Sequence, residues 1–548
     1  MTNKTDWHLA SVWENISDAI PKAPAVRYND IALTWREYDE RAARLAQVFA
    51  EAKLDVGSKV AIYSHNRNEY LEAQYAAFKA RLVPINVNYR YLEAELAHVL
   101  NNSDCEVVVF EAEFAPRIRS IRSLLSKVAL FIEINDGSGE HLEGAVCYEE
   151  VVAAAIPMPR IPRSGDDIYM LYTGGTTGLP KGVMYDHRTF VSALLGKSMQ
   201  LRQLDFPDSP DALGPIIKGL ADAGRSPCAL PACPLMHGTG MWVGVIIPHS
   251  LGGEVVLADN RTFDPDMLLQ KIEEAKVQEI VIVGDVFAKP MAKALAGAKA
   301  RNAPYDMSKM KMVNSSGVMF SADAKKSLLE HLDVVIFDSM GSTEGSMGTS
   351  ISNRQTIDQN KTGKFQLSPT TRVYTDDGRA VKPGSGEVGL ICNGGMVPIG
   401  YYKDEKKSAE TFKLIDGVRY SVTGDYATLE EDGTINLLGR GSTCINSGGE
   451  KIYPEEVEEA IKTHEAVFDC LVVGVPDDRF GEGVAAVFST DGGQAVEAEV
   501  IKKYVRSLLA DYKAPRHYIQ VEYVPRAVNG KADSKQTKAL ALKSIAGG

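Results

Sequence analysis

Apolar positions in the first hundred residues alternate between a helical and a strand-like spacing. Thr34-Trp35-Arg36-Glu37 reads as a capping box, and Tyr38, Ala42, Leu45, Ala46 and Phe49 then recur on one helix face. Val60 to Ser64 has the character of a short buried strand. A helical stretch from Tyr70 to Ala80, a strand from Val83 to Val87, a helix around Leu92 to Leu100 and a strand from Glu106 to Phe110 follow. Strands separated by helices of this length predict a parallel sheet covered on both faces.

The alternation returns later. Glu254 to Leu257 reads as a strand, and Asp264-Pro265 starts a helix with an N-cap and an N1 proline. Glu279 to Val283, Lys311 to Asn314 and Val334 to Asp338 are further strands with helices between them. Leu201 to Cys228 is poor in periodicity and rich in Pro, Gly and Asp, so it is expected to be a long connection. From Gly363 to Gly439, short apolar runs separated by DDG, GSG and EDG turns predict a compact β-rich section. The Gly- and Ser-rich joint GSTCINSGGEK follows Arg440, and we expect the domain boundary there, giving units 1–440 and 441–548.

Composition narrows the function classes. The 548 residues hold 60 basic against 72 acidic side chains, a formal charge of -12, and 45% hydrophobic residues, ample for a sizeable core. This balance argues against a nucleic-acid partner, which demands clustered Lys and Arg. Seven cysteines without a CxxC pair indicate neither a zinc cluster nor a disulfide framework, which fits a cytoplasmic protein. No apolar run of membrane-spanning length occurs, while peripheral membrane contact and a homodimer stay open.

The strongest chemical signal is Leu171-Tyr172-Thr173-Gly174-Gly175-Thr176-Thr177-Gly178-Leu179-Pro180-Lys181-Gly182. A strand, Ile168 to Tyr172, runs into a loop whose glycines let backbone N–H groups converge on an anion. Threonine hydroxyls add donors and Lys181 adds a point charge. It is not a Walker A loop, because no Ser or Thr follows the lysine. A second stretch, Asp338-Ser339-Met340-Gly341-Ser342-Thr343-Glu344, reads as a strand ending in a tight turn that exposes a hydroxyl and a carboxylate.

In this order the motifs resemble the adenylate-forming superfamily: acyl-CoA synthetases, luciferases and the adenylation domains of peptide synthetases. The resemblance extends over nearly the whole chain. It implies a large N-terminal domain of two αβ subdomains with parallel-rich sheets and a small β-barrel-like section, followed by a small mobile α+β C-terminal domain. It also implies ATP, Mg²⁺ and coenzyme A, with a carboxylic acid as the remaining substrate.

Roles carried over by resemblance are phosphate binding for the Thr173–Gly178 loop and Lys181, with Thr176 and Glu344 at Mg²⁺ and Thr343 at a phosphate oxygen. Ser316, Gly317 and Val318 match the turn beside adenine, and Asp338, Ser339, Met340 and Gly341 match the second signature of the nucleotide site. Asp425 matches the ribose-binding aspartate, and Arg440 the arginine that meets the nucleotide before the hinge. Gly448, Gly449, Glu450 and Lys451 match the border of the pantetheine tunnel, and Lys531, after Gly530, the lysine of adenylation. His237 stands at the mouth of the acyl site as a gate, with Trp242, Phe287 and the Gly284-Asp285 turn lining or supporting it.

Two positions depart from the pattern: Met340 replaces an aromatic residue, and Ser442 replaces the usual Asp or Lys at the hinge. The segments YYKDEKKSAETF and GRGSTCINSGGEKIYPEEVE most resemble actinobacterial fatty-acid and steroid side-chain CoA ligases. Small residues at Gly238, Gly284, Ser315 and Gly341 can leave room for a bulky acid or serve tight packing. The expected activity is formation of an acyl-CoA through acyl-AMP. A different acceptor (luciferase-like or carrier-loading) and a non-catalytic nucleotide-binding relative are the alternatives.

Overall fold

The computed structural model describes residues 6–173, 179–258, 261–359, 362–440, 444–447, 450–477, 481–509, 511–526 and 532–547. The first predicted block is a five-stranded sheet in the order Val83–Asn86, Lys59–Tyr63, Cys105–Glu111, Leu130–Ile134, Val146–Cys147, with every pairing parallel. The capping box is formed: Glu37 N donates to Thr34 Oγ1 at 3.3 Å, and Thr34 N donates to Glu37 Oε2 at 2.8 Å. The helix Asn68–Lys79 is buried along its whole length, which explains why its sequence shows little amphipathic contrast.

The second block runs Pro24–Tyr28, Glu254–Leu257, Cys228–Pro231, Glu279–Ile282, Met312–Ser316, Val335–Ser342, again parallel throughout. Strand Pro24–Tyr28 joins it from far upstream, through the ladder Val26 opposite Val255. The strand Val335–Ser342 then turns back on Gly345–Ser352, so the β-rich section continues the same sheet edge to edge. Asp264 caps its helix as expected, accepting from Asp266 N and Met267 N.

The stretch Leu201 to Cys228 differs from the expected irregular connection. It contains the helix Leu213–Asp222, whose Leu213, Ile217 and Leu220 are buried against the helix Leu9–Ala19. Its apolar face has only three buried residues, and the rest of the helix carries Gly214, Pro215 and Gly219, so local propensity conceals it.

A small antiparallel sheet, Ile168–Thr173, Lys181–Asp186 and Gly400–Tyr401, lies between the blocks. Beyond it, Glu450–Ile452, Ile445–Ser447, Gly481–Thr490, Val467–Asp477 and His517–Gln520 form a separate five-stranded sheet with its own hydrophobic cluster. Lys289 Nζ donates to Phe468 O at 2.8 Å across the junction between this unit and the second block. Among the described residues, no helix is long and apolar enough to cross a membrane. The seven cysteines are free thiols.

Asn86 joins the pieces. Its Nδ2 donates to Tyr172 O at 2.8 Å and to Met236 O at 2.7 Å, and its Oδ1 accepts from Tyr172 N at 2.6 Å. Asn66 makes a parallel tie, donating to Cys233 O at 3.1 Å and accepting from Leu235 N at 2.8 Å. Replacing Asn86 by Asp leaves two buried carbonyls facing a carboxylate. We expect N86D to lower unfolding stability by about 2–6 kcal/mol in chemical denaturation, the sum of two buried unmade hydrogen bonds.

Candidate active site

Because the strands of each block are parallel, their carboxyl ends emerge on one edge, where α/β proteins place ligands. Strand Met312–Ser316 delivers the turn Ser315-Ser316-Gly317-Val318 to that edge, and strand Val335–Ser342 delivers Thr343 and Glu344. Strand Cys228–Pro231 leads to His237, whose N–H donates to Pro234 O at 3.2 Å and whose carbonyl starts the next helix by accepting from Met241 N. Gly317 has φ of +93°, and a Cβ there would lie 3.6 Å from Thr239 Oγ1, so the Ser315–Val318 turn faces the His237 segment.

The hairpin turn at Thr343-Glu344 is held from three sides. Tyr185 Oη donates to Thr343 O at 2.7 Å, Ser421 Oγ donates to Glu344 O at 2.7 Å, and Tyr401 Oη donates to Glu344 Oε1 at 2.8 Å. Thr173 ends its strand opposite Lys181 in the ladder. The Lys181 ammonium lies 2.7 Å from Asp404 Oδ2, and this pair holds the Asp404 carboxyl below its ordinary range.

Other predicted residues have partners of their own. Asp338 is buried, and its carboxylate pairs with Lys325 at 2.7 Å on the face turned to helix Ala322–Leu329. Burial raises its pKa although Lys325 opposes the shift. Ser339 pairs with Thr349 in the hairpin ladder. Met340, 9% exposed, packs with Met347 and Phe365 inside the β-rich section, so it offers little surface to a ring. Asp425 opens the strand Asp425–Leu429 and accepts from Thr423 Oγ1 at 2.5 Å; Arg440 is its ladder partner.

Trp242 is a core residue with Nε1 donating to Tyr169 Oη at 2.8 Å, and Phe287 packs against Phe263. Asp285 caps nothing on its own helix; it accepts from Ser321 N at 2.8 Å and steadies the next turn. Glu450 and Lys451 lie in the strand Glu450–Ile452. Gly174, Gly175, Thr176, Thr177, Gly178, Ser442, Gly448, Gly449 and Lys531 lie outside the described residues.

Small residues at this edge serve close packing. A Cβ on Gly284 would lie 2.2 Å from Met319 O, and one on Gly341 would lie 2.8 Å from Gly345 O. Buried Ser315 accepts from Gly284 N at 3.0 Å. A cleft of about 420 Å³ separates Gly317, Val318 and Met319 from Cys444, Glu458 and Arg526 of the last unit.

A family model described as "AMP-binding enzyme" matches residues 13–402, and one described as "AMP-binding enzyme C-terminal domain" matches residues 456–531. The chain belongs to the AMP-binding enzyme family. It is 39% identical over 540 residues to the 3-oxocholest-4-en-26-oate–CoA ligase of Rhodococcus rhodochrous, covering 97% of this chain and 95% of that one. It is 40% identical over 551 residues to the medium/long-chain-fatty-acid–CoA/3-oxocholest-4-en-26-oate–CoA ligase of Mycobacterium marinum, covering 97% and 96%. A crystal structure of an anthranilate CoA ligase in complex with anthranoyl-AMP shares the fold, with a TM-score of 0.84, 21% identity and coverage of 99% and 98%.

Within this family member, one other carboxylate group merits comparison. His65, Glu111 and Glu113 approach closely enough to hold an ion, but Arg67 lies 3.4 Å from Glu111, and Arg261 lies 3.1 Å from Glu111 and 2.9 Å from Glu113. Those guanidinium groups already neutralise the cluster. Glu344, by contrast, accepts from Tyr401 through Oε1, and no described residue is a partner of Oε2. One carboxylate with phosphate oxygens is the usual protein share of a Mg²⁺ site, so Glu344 fits such an ion.

Sequence reasoning missed Tyr185, Tyr401, Asp404 and Ser421. An aromatic on a strand reads as core, and only the position of Tyr401 and Asp404 inside YYKDEKK could have drawn attention to them. Their partners settle the distinction between support and contact. We expect D338A to strand Lys325 as a buried unpaired cation and to cost about 3–5 kcal/mol in denaturant unfolding. E344A, which removes the acceptor of the Tyr401 hydroxyl at a partly exposed turn, should cost about 1–2 kcal/mol by the same measurement.

Proposed function

We propose that the chain is an AMP-forming acid–thiol ligase that converts a hydrophobic carboxylic acid to its CoA thioester. The observation that carries this reading is the meeting of Lys181, Thr343, Glu344, the Ser315–Val318 turn and His237 at one edge, in a chain about 40% identical over its length to CoA ligases. In the first step the acid's carboxylate oxygen attacks the α-phosphorus of ATP, the α–β anhydride bond breaks, and pyrophosphate leaves. In the second, the CoA sulfur attacks the acyl carbonyl, the bond to AMP breaks, and the thiol proton is released.

Lys181 binds the β- and γ-phosphates by exchanging Asp404 for phosphate oxygens. Glu344 and Thr176 would hold Mg²⁺, which when bound offsets charge developing on the leaving pyrophosphate. Thr343 binds a phosphate oxygen, and the Ser316–Val318 turn seats adenine. Asp425 accepts both ribose hydroxyls, as two carboxylate oxygens allow, and Arg440 meets the nucleotide ahead of the hinge. Asp338, Ser339, Met340 and Gly341 form the second signature of the nucleotide site, with Asp338 held by Lys325. His237 gates the acyl group.

The boundary lies at 440/441, with Ser442 as the pivot. Rotation there exchanges Lys531 for the Gly448–Lys451 segment between the two half-reactions. Lys531 stabilises charge shared by the carboxylate and the α-phosphate. The acid is a medium- or long-chain fatty acid or a steroid side-chain acid, the classes that name the relatives, and the compartment is the cytoplasm.

Two half-reactions separate the roles. K531A should lose acid-dependent pyrophosphate exchange by at least about 10²-fold, while retaining thioester formation from supplied acyl-AMP within a few fold. Equal losses in both would remove Lys531 from the adenylation step. Mass spectrometry of thioesters from fatty, aromatic and steroid acids identifies the acid. AMP release that proceeds equally without CoA would point to another acceptor.

A further inference from the structure

Lys181 and Glu344 come from different sheets, yet one short segment touches both. The run 399–404 is laid along the strand Lys181–Asp186: Ile399 N donates to Met184 O at 2.7 Å, Tyr401 stands opposite Val183, and Tyr402 N donates to Gly182 O at 2.8 Å. This ladder fixes the backbone of Tyr401 two residues from the lysine. Ser408 Oγ accepts from Tyr401 N at 2.8 Å, and the ring packs against Phe412 at 5.2 Å between centroids. The tyrosine is 8% exposed.

From that fixed base Tyr401 reaches both charged groups. Its hydroxyl donates to Glu344 Oε1, and its ring centroid lies 5.6 Å from Lys181 Nζ. The backbone of the hairpin turn is already held by Tyr185 and Ser421. What those bonds leave free is the Glu344 side chain, which has several rotatable bonds at a partly exposed turn. A phenol is a rigid donor with few torsions, so its bond to one oxygen selects a rotamer and leaves the second oxygen for another partner. Packing alone would require only the ring.

We infer that Tyr401 is a positioning residue that fixes the Glu344 carboxylate through its hydroxyl, while its ring faces the Lys181 ammonium, so that carboxylate and cation have a set spacing before nucleotide arrives. The inference rests on the proposed reading of Glu344 as the carboxylate that holds a divalent cation beside the phosphates.

Y401F keeps the ring and the ladder and removes only the hydroxyl. The test uses the full-length protein with a non-hydrolysable ATP analogue, and Mn²⁺ as the probe followed by electron paramagnetic resonance. Half-saturating Mn²⁺ should rise about tenfold in Y401F, as expected for loss of a hydrogen bond to a charged group. The thermal midpoint should fall by no more than about 4 °C, the cost of one hydrogen bond in a chain of this size. In an E344Q background, Y401F should add nothing further.

Normal Mn²⁺ binding in Y401F beside weakened binding in E344Q would overturn the inference and leave the reading of Glu344 intact. Normal binding in E344Q would overturn both. Additive losses in the double variant would show that Tyr401 acts by another route, which also overturns it. If Y401F does not fold, E344D, which withdraws the carboxylate from the phenol without touching the tyrosine, should give a similar rise. Parental Mn²⁺ binding in E344D would count against the inference.

Discussion

One buried carboxamide holds the cleft in shape. Two separately wound parallel sheets have no intrinsic reason to present their strand ends to a common space, because each could bury its own faces and drift relative to the other. Asn86, at the end of a strand in the first sheet, makes three hydrogen bonds to Tyr172 and Met236. Tyr172 precedes the glycine-threonine loop, and Met236 precedes His237. A short side chain with two donors and an acceptor, fully used, fixes these pieces with little freedom. Asn66 repeats the tie a few residues from the same edge.

That fixed frame explains why the charged groups can stand on turns. Charges deep in the interior would demand permanent partners, as Asp338 and Lys325 show, and would then be unable to exchange them for a ligand. Lys181 and Glu344 instead sit partly exposed at the ends of strands, with Asp404 and Tyr401 as partners. A partly solvated ion pair is weak enough to exchange one partner for a ligand. The backbone beneath it must then supply the precision, and the ladder between 399–402 and Lys181–Asp186 does so.

Much of this was legible in the sequence, for identifiable reasons. Strand and helix order followed from periodicity, since Val60, Val83 and Val107 lie in short apolar runs and Thr34 with Glu37 marks a helix start. The strand ending in a tight turn at Thr343-Glu344 was legible as well, and the structure shows it as the hairpin between Val335–Ser342 and Gly345–Ser352. Three things were hidden. The helix Leu213–Asp222 carries glycine and proline against its own propensity, and only the contact with Leu9–Ala19 reveals it. Strand Pro24–Tyr28 gains its place from a partner more than two hundred residues away. The pairing of buried Asp338 with Lys325 was also hidden, because it joins a strand to the helix Ala322–Leu329 packed on it.

The same contrast explains why the chemistry is easier to read than the acid. Phosphate and cation binding draw on charged and hydroxylated residues that are costly to bury, so their appearance at strand ends carries information. An apolar acid is contacted by the residue types that also make a core. Trp242 illustrates this, since its indole is committed to Tyr169 and to packing with Phe190. Gly284 and Gly341 look like space, but the neighbouring backbone already occupies it, so their small size says nothing of the acid's bulk. On the proposed reading of His237, specificity for the acid lies in the shape of the surface that His237 and its neighbours leave open. That shape depends on how the two sheets are set by Asn86 and Asn66, not on any single residue type along the chain.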